Sequence, residues 1–327
     1  MALPNVYIIA CGGTIAGKAA SAEDLTGYKA GEVTIDELLR SVPQIEQYAG
    51  VQGEQFCNID SSNMTEQLWL ALAQRVQEVA SRPDVDGIVI THGTDTMEET
   101  AYFLHLTVHT DKPVVLVGSM RPSTAISADG PLNLLEAVRT AAVKETGRYG
   151  VVIAMNGTLC SARFVEKTDT THADTFKGRQ MGNLGFIQDG QPFFYQAPLR
   201  RHTTSSALSC DKIRALPPVA VVYCYIGMSG SCIDDAASHG VRGIVLAGLG
   251  HGRMPAAIWA AASAAMKRGI YIVRASRTMG GIVSPVPEYS GVICADSLTP
   301  QKAKILLQLG LLKTENHKEL QALFRVY

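Results

Sequence analysis

Short runs of Val and Ile alternate along this chain with longer segments whose apolar positions recur every three or four residues. The runs at residues 6–10, 87–91, 113–118 and 150–154 are of strand length and bounded by Gly or Pro, so they read as buried strands. Between them, residues 66–80 carry Leu68, Leu72, Val76 and Val79 at helical spacing. Three segments have the form of a capping box at a helix start: Thr34-Ile-Asp-Glu37, Asn63-Met-Thr-Glu66 and Thr96-Met-Glu-Glu99. The last opens a helix through about Val108, and Pro131 suits the first turn of the next. Strands alternating with helices predict an α/β fold with a parallel sheet flanked by helices.

A second block repeats the alternation, with strands at 219–225, 243–247 and 269–273 and helices near 231–239, 255–267 and 300–309. The polar stretch 196–218 lacks apolar periodicity and ends in Pro217-Pro218, as a linker does. The expected organisation is therefore a larger N-terminal α/β domain (1–195) with a mostly parallel sheet. The linker (196–218) then leads to a smaller C-terminal α/β domain (219–327).

Composition narrows the class. At 46% hydrophobic and 18% charged residues the 327-residue chain can bury a large core. A net charge of −1 with scattered basic residues argues against nucleic acid as a partner. No apolar run approaches the ~20 residues of a membrane span, so no membrane partner is expected. Met1-Ala-Leu-Pro4 begins without a signal-peptide pattern, which favours the cytoplasm. Seven cysteines without a Cys-x-x-Cys suggest neither a disulfide framework nor a metal site. His105 and His109, lacking acidic or Cys companions, read as an exposed helix face.

Candidate chemistry gathers at the strand ends. In a parallel sheet the loops after the strands share one crevice. Here they hold Thr14, then Asp60-Ser-Ser-Asn63, then Thr94-Asp95, with a later polar stretch reaching Lys167. A threonine hydroxyl needs a neighbour to take its proton before it attacks. A lysine can do so near neutral pH only where its surroundings favour the free amine. Thr94, Lys167 and Asp95 would then parallel the Ser-His-Asp arrangement. Each part alone has a duller reading: a tight turn at Gly12-Gly-Thr14, a helix cap at Ser61-Ser62, a surface amine at Lys167. No phosphate-loop spacing accompanies the glycines, which removes a nucleotide-binding oxidoreductase from the front rank.

Taken together, Cys11-Gly-Gly-Thr-Ile-Ala-Gly17 and Thr91-His-Gly-Thr-Asp-Thr-Met-Glu-Glu-Thr-Ala101 resemble the two signature segments of the bacterial-type L-asparaginase/glutaminase family. The likeness continues through Gly118-Ser-Met-Arg-Pro-Ser-Thr124, Ser127-Ala-Asp-Gly-Pro131, Lys167-Thr-Asp-Thr-Thr171 and Pro300-Gln-Lys-Ala303, and is greater for the type II branch. The resemblance implies a cofactor- and metal-free amidohydrolase acting on L-asparagine, usually a homotetramer of intimate dimers. By it, Thr14 is the primary nucleophile, and Tyr28 is the loop tyrosine that helps activate it. Thr94, Asp95 and Lys167 form the second triad. Ser61 holds the substrate α-carboxylate and Asp95 its α-ammonium. Glu288 matches the acid that a neighbouring subunit contributes.

Three features depart from the family pattern. Ser62 stands where type II relatives often carry Gln or Glu against the substrate ammonium, and Arg253 stands where they often carry Asn or Ser. Ser81 and Thr110 occupy the places of a disulfide that some periplasmic members have. Because type II relatives are often periplasmic, Leu3-Pro-Asn5 also resembles a mature start after signal removal. A broader glutaminase-asparaginase and the ammonia-generating subunit of a tRNA-dependent amidotransferase share these motifs. A non-catalytic amino-acid binding module would keep Ser61 and Asp95 without needing Lys167.

Overall fold

Buried apolar strands organise the chain into two units, Met1–Ala207 and Leu208–Tyr327, in a computed structural model that describes residues 2–27, 29 and 31–327. In the first unit, β1 (Asn5–Gly12), β2 (Gly50–Ile59), β3 (Gly87–Thr91), β4 (Val114–Val117) and β5 (Val151–Met155) are joined in parallel. Their spatial order is 5-4-3-1-2. Three of these strands, β3, β4 and β5, are buried at every residue, which is why they are legible as unbroken Val/Ile runs. Strand β2 was not expected. It lies at the sheet edge, pairs only with β1, and reads Gly-Val-Gln-Gly-Glu-Gln-Phe-Cys-Asn-Ile, half exposed and without an apolar run.

The connection from β1 to β2 lies on one side of β1, whereas β3 pairs with its other side. That reversal makes a switch point at the carboxyl ends of β1 and β3, where open α/β sheets form a ligand crevice. Beyond β5 the sheet turns antiparallel through β6 (Thr158–Ser161), while β7 (Glu166–Lys167) and β8 (Phe176–Lys177) form a separate two-stranded ribbon. The hairpin of β9 (Gly185–Gln188) and β10 (Gln191–Phe194) completes the eight-stranded sheet.

Helix α1 (Ile35–Ser41) opens with the expected capping box between Thr34 and Glu37. For α2 (Glu66–Ala80) the cap is Thr65, whose hydroxyl accepts from the Leu68 N–H, so the box expected from Asn63 does not form. Trp69 of α2 stacks on Phe103 of α3 (Met97–Thr107) at 5.3 Å. His105 is also in α3 and buried; its Nδ1 accepts the Val151 N–H and its ring stacks on His202, so the expected exposed face is corrected. Helix α4 (Gly130–Ala142) carries Pro131 in its first turn and packs on β1, β3, β4 and β5.

The second unit is a four-stranded parallel sheet in the order β11 (Val219–Tyr223), β12 (Gly243–Gly248), β13 (Tyr271–Ser276) and β14 (Ile293–Cys294). Helices α5 (Ser231–Ser238) and α6 (Ala256–Lys267) pack together over Ile233, Leu246 and Ile258. Helix α7 (Pro300–Lys313) lies against β11–β13 and α8 (His317–Val326) against α7 and β14. The unexpected α8 had a signal, since Asn316 caps it and Leu320 and Phe324 are buried one turn apart. No described helix is long and apolar enough to cross a membrane.

Candidate active site

Two glycines bring the threonine loops together. Gly13 has φ +84°, and a Cβ there would lie 2.4 Å from the Cα of Gly93. Only bare backbone on both sides permits this approach. Each glycine directly precedes its threonine, so Thr14 after β1 and Thr94 after β3 emerge side by side at the switch point. Both are buried. Gly93 in turn leaves no room on its other side, where a Cβ would meet the Ser61 hydroxyl at 2.7 Å.

Ser61 ties the third loop to the same place. Its Oγ accepts the Asp95 N–H at 3.2 Å, and its carbonyl accepts the Thr96 hydroxyl at 2.8 Å. Thr96 therefore does not cap α3, as its position before Glu99 had suggested; its side chain makes no cap hydrogen bond. Ser62 is exposed and donates its hydroxyl to Asp60 at 2.8 Å.

Lys167 arrives from the β7–β8 ribbon. Its Nζ donates to Thr94 Oγ1 at 3.0 Å and to Asp95 Oδ1 at 2.6 Å. Thr94, Asp95 and Lys167 thus form one connected hydroxyl–amine–carboxylate group. The lysine side chain is 17% exposed and that of Asp95 58%. Glu98 in the first turn of α3 accepts the Lys167 backbone N–H at 3.0 Å, anchoring the distant ribbon to the helix that follows Thr94-Asp95. Sequence reasoning had not singled out Glu98; its place inside the second signature segment was the available signal.

A second support runs beneath the loop. His92 Nδ1 lies 2.7 Å from the Gly93 carbonyl and Nε2 3.0 Å from the Thr100 hydroxyl, which also accepts from Trp69 Nε1 at 2.8 Å. Burial pushes the imidazole down to about 4, against the opposing pull of the Gly93 carbonyl. Near neutral pH the ring is therefore uncharged, donating at Nδ1 and accepting at Nε2. This histidine braces Gly93 rather than moving protons in the crevice.

The segment 118–124, braced by Asp129 and Asn133, buttresses the Thr14 loop. Ser123 donates its backbone N–H and its hydroxyl to the Gly17 carbonyl, and Thr124 accepts the Ala19 N–H. Asp129 accepts the Met120 and Arg121 N–H groups, and Asn133 donates to Gly118 O. Tyr28 lies outside the described residues. Glu288 is in the second unit, exposed, and paired with Arg253 at 2.8 Å. Among the described residues no group of three or more His, Cys, Asp or Glu side chains could hold a metal ion.

Comparison with known proteins converges on one family. Residues 5–200 match the family model described as "Asparaginase, N-terminal" and residues 218–324 that described as "Glutaminase/Asparaginase C-terminal domain". The chain is 46% identical to L-asparaginase 2 of Bacillus subtilis, covering 99% of this chain and 87% of the relative. It is 44% identical to the glutaminase-asparaginase of Pseudomonas aeruginosa, covering 99% and 91%. The crystal structure of a probable cytoplasmic L-asparaginase from Campylobacter jejuni superposes with a TM-score of 0.97 at 44% identity, covering 99% of this chain and 100% of that one. With both domain models matched in order and full-length relatives above 40% identity, the chain belongs to the bacterial-type L-asparaginase/glutaminase family, in its type II branch.

Proposed function

We propose that this enzyme hydrolyses L-asparagine to L-aspartate and ammonia through a threonine-bound acyl intermediate. The observation that carries this reading is Lys167 bridging Thr94 and Asp95 at 3.0 and 2.6 Å, beside a buried Thr14. Thr14 attacks the side-chain amide carbon, ammonia leaves, and water then releases aspartate from the ester. Lys167 takes a proton through Thr94, and Asp95 steadies the positive charge on Nζ. Backbone N–H groups around Thr14 and Thr94 meet the developing oxyanion. Ser61, with Ser62 beside it, faces the α-carboxylate and Asp95 the α-ammonium. Tyr28 assists Thr14, and no metal or cofactor takes part.

Family likeness supports a homotetramer in which Glu288 reaches a neighbouring subunit's site. A cytoplasmic location is compatible with seven cysteines held as thiols rather than as disulfides. Ammonia release from asparagine and glutamine, measured side by side, tests the activity and its preference. Thr94→Val should abolish turnover with the fold intact. A variant keeping more than about a tenth of the wild-type kcat, a cost under ~1.4 kcal/mol, would refute the role of Thr94.

A further inference from the structure

We propose that Cys11 and Cys57 form a reversible redox pair whose oxidation to a disulfide by a peroxide switches the active-site loop off. The two thiols sit on adjacent parallel strands, Cys11 in β1 and Cys57 in β2. Pairing runs Ala10 with Gln55 and then Gly12 with Ile59, so an irregularity in β2 leaves residues 56–58, with Cys57 at their centre, across from Cys11. Neighbouring strands lie about 4.8 Å apart, inside the roughly 4.4–6.8 Å Cα separation that a disulfide spans. Cys57 Sγ donates to the Cys11 carbonyl at 3.5 Å, which sets the Cys57 sulfur against the Cys11 backbone.

The two sulfurs differ in access. Cys11 is buried, whereas Cys57 is half-buried on the edge strand. The hydrogen bond from Cys11 holds the Cys57 thiol below its ordinary range, against the effect of burial. The same bond, with burial, raises that of Cys11. Cys57 is therefore the thiol that meets the oxidant, because the thiolate is the reactive form. Its sulfur attacks one peroxide oxygen, the O–O bond breaks, and one water leaves with the thiol proton. The Cys11 sulfur then attacks the resulting sulfenic acid. An S–S bond forms, the S–O bond breaks, and a second water carries away the Cys11 proton. Two electrons pass from the thiol pair to the peroxide.

Loop geometry links that bond to the catalytic threonine. Cys11 is joined directly to Gly12, where a Cβ would already lie 2.6 Å from Ile59 N. Gly13 is fixed by its N–H to Ile59 O at 3.0 Å and by its close approach to Gly93. A covalent S–S distance of about 2 Å draws Cys11 towards β2, and the Gly12-Gly13 turn has no slack to absorb the shift. Displacing Thr14 by about 1 Å costs on the order of a hundredfold in rate. This effect on rate rests on the asparaginase reading, while the thiol pairing does not.

The test treats the full chain with hydrogen peroxide, then combines alkylation, peptide mass mapping and ammonia release from asparagine. The expected result is a peptide pair joined through Cys11 and Cys57. Its formation should accompany a rate loss of at least about tenfold, and dithiothreitol should reverse both. Cys57→Ser and Cys57→Ala should match the reduced wild type and keep their rate under peroxide. Unlinked Cys11 after treatment, a linked protein with undiminished rate, or equal inactivation of the Cys57 variants would each overturn the proposal. If reduced wild type releases no ammonia, the functional reading fails, and the presence or absence of the linked peptide still decides the pairing.

Discussion

Replacing Lys167 with Met separates a catalytic role for its terminal amino group from a structural one. Methionine keeps most of the aliphatic stem that packs into the site and deletes only the donors at 3.0 and 2.6 Å from Thr94 and Asp95. The cost to stability is small on both counts. Asp95 is 58% exposed, so water replaces its lost partner and the ion pair is worth at most about 1 kcal/mol. The Thr94 hydroxyl loses one hydrogen bond, a further ~1 kcal/mol. Relief from holding a mostly buried ammonium offsets part of that sum. The net change should stay within about 1 kcal/mol, which moves Tm by no more than about 4 °C in a protein of this size.

The catalytic cost is larger. A positioned proton-transfer group contributes roughly 10²–10⁴-fold in rate, or about 3–5 kcal/mol of barrier. Steady-state ammonia release and thermal unfolding, run on the same Lys167→Met preparation, read the two quantities. The expected outcome is a kcat at least about a hundredfold lower with a nearly unchanged melting curve. A kcat within about tenfold of wild type would refute the proton-transfer assignment. So would a stability loss above about 3 kcal/mol, because the lysine would then be holding the fold together.

Three further perturbations probe the supports. Gly13→Ala combines a Cβ 2.4 Å from the Gly93 backbone with φ +84°, so it should cost at least about 1–2 kcal/mol and on the order of a hundredfold in kcat; an active, equally stable variant would refute the contact between the two loops. Ser61→Ala should keep the fold but removes the hydroxyl proposed to hold the α-carboxylate, so KM for asparagine should rise about tenfold more than kcat falls, and an unchanged KM argues against that role. His92 binds its proton less readily folded, at about 4, than unfolded, at about 6.5. Its contribution is therefore complete above pH 6.5 and is lost as pH falls towards 4, amounting to about 2–3 kcal/mol between pH 7 and 4.5. Denaturant unfolding at both pH values should show a shallower loss for His92→Gln; an equal loss would mean that His92 is not the group taking up the proton.

Much of this protein was legible in sequence because its parallel strands are buried on both faces. Such strands must be continuous apolar runs, and a run that stops at Gly or Thr marks where a loop opens into the crevice. The positions of Thr14 and Thr94 at strand ends, the helix 66–80 and the parallel second sheet follow from that local logic. Edge strand β2 did not, since one side of its ladder is unpaired and half its surface faces solvent. Nor did the cap at Thr96 hold, because its hydroxyl had a second suitor in the Ser61 carbonyl, thirty-five residues away.

Local pattern thus nominated the residues proposed to carry chemistry and determined roughly where each leaves its strand, because burial and backbone propensity act over a few residues. Only the tertiary structure decided that they meet. The reversal of strand order around β1, the bare-backbone approach of Gly13 to Gly93 and the grip of Glu98 on Lys167 all join segments remote in sequence. Those contacts depend on close packing and strand order, and neither has a local period to be read along the chain.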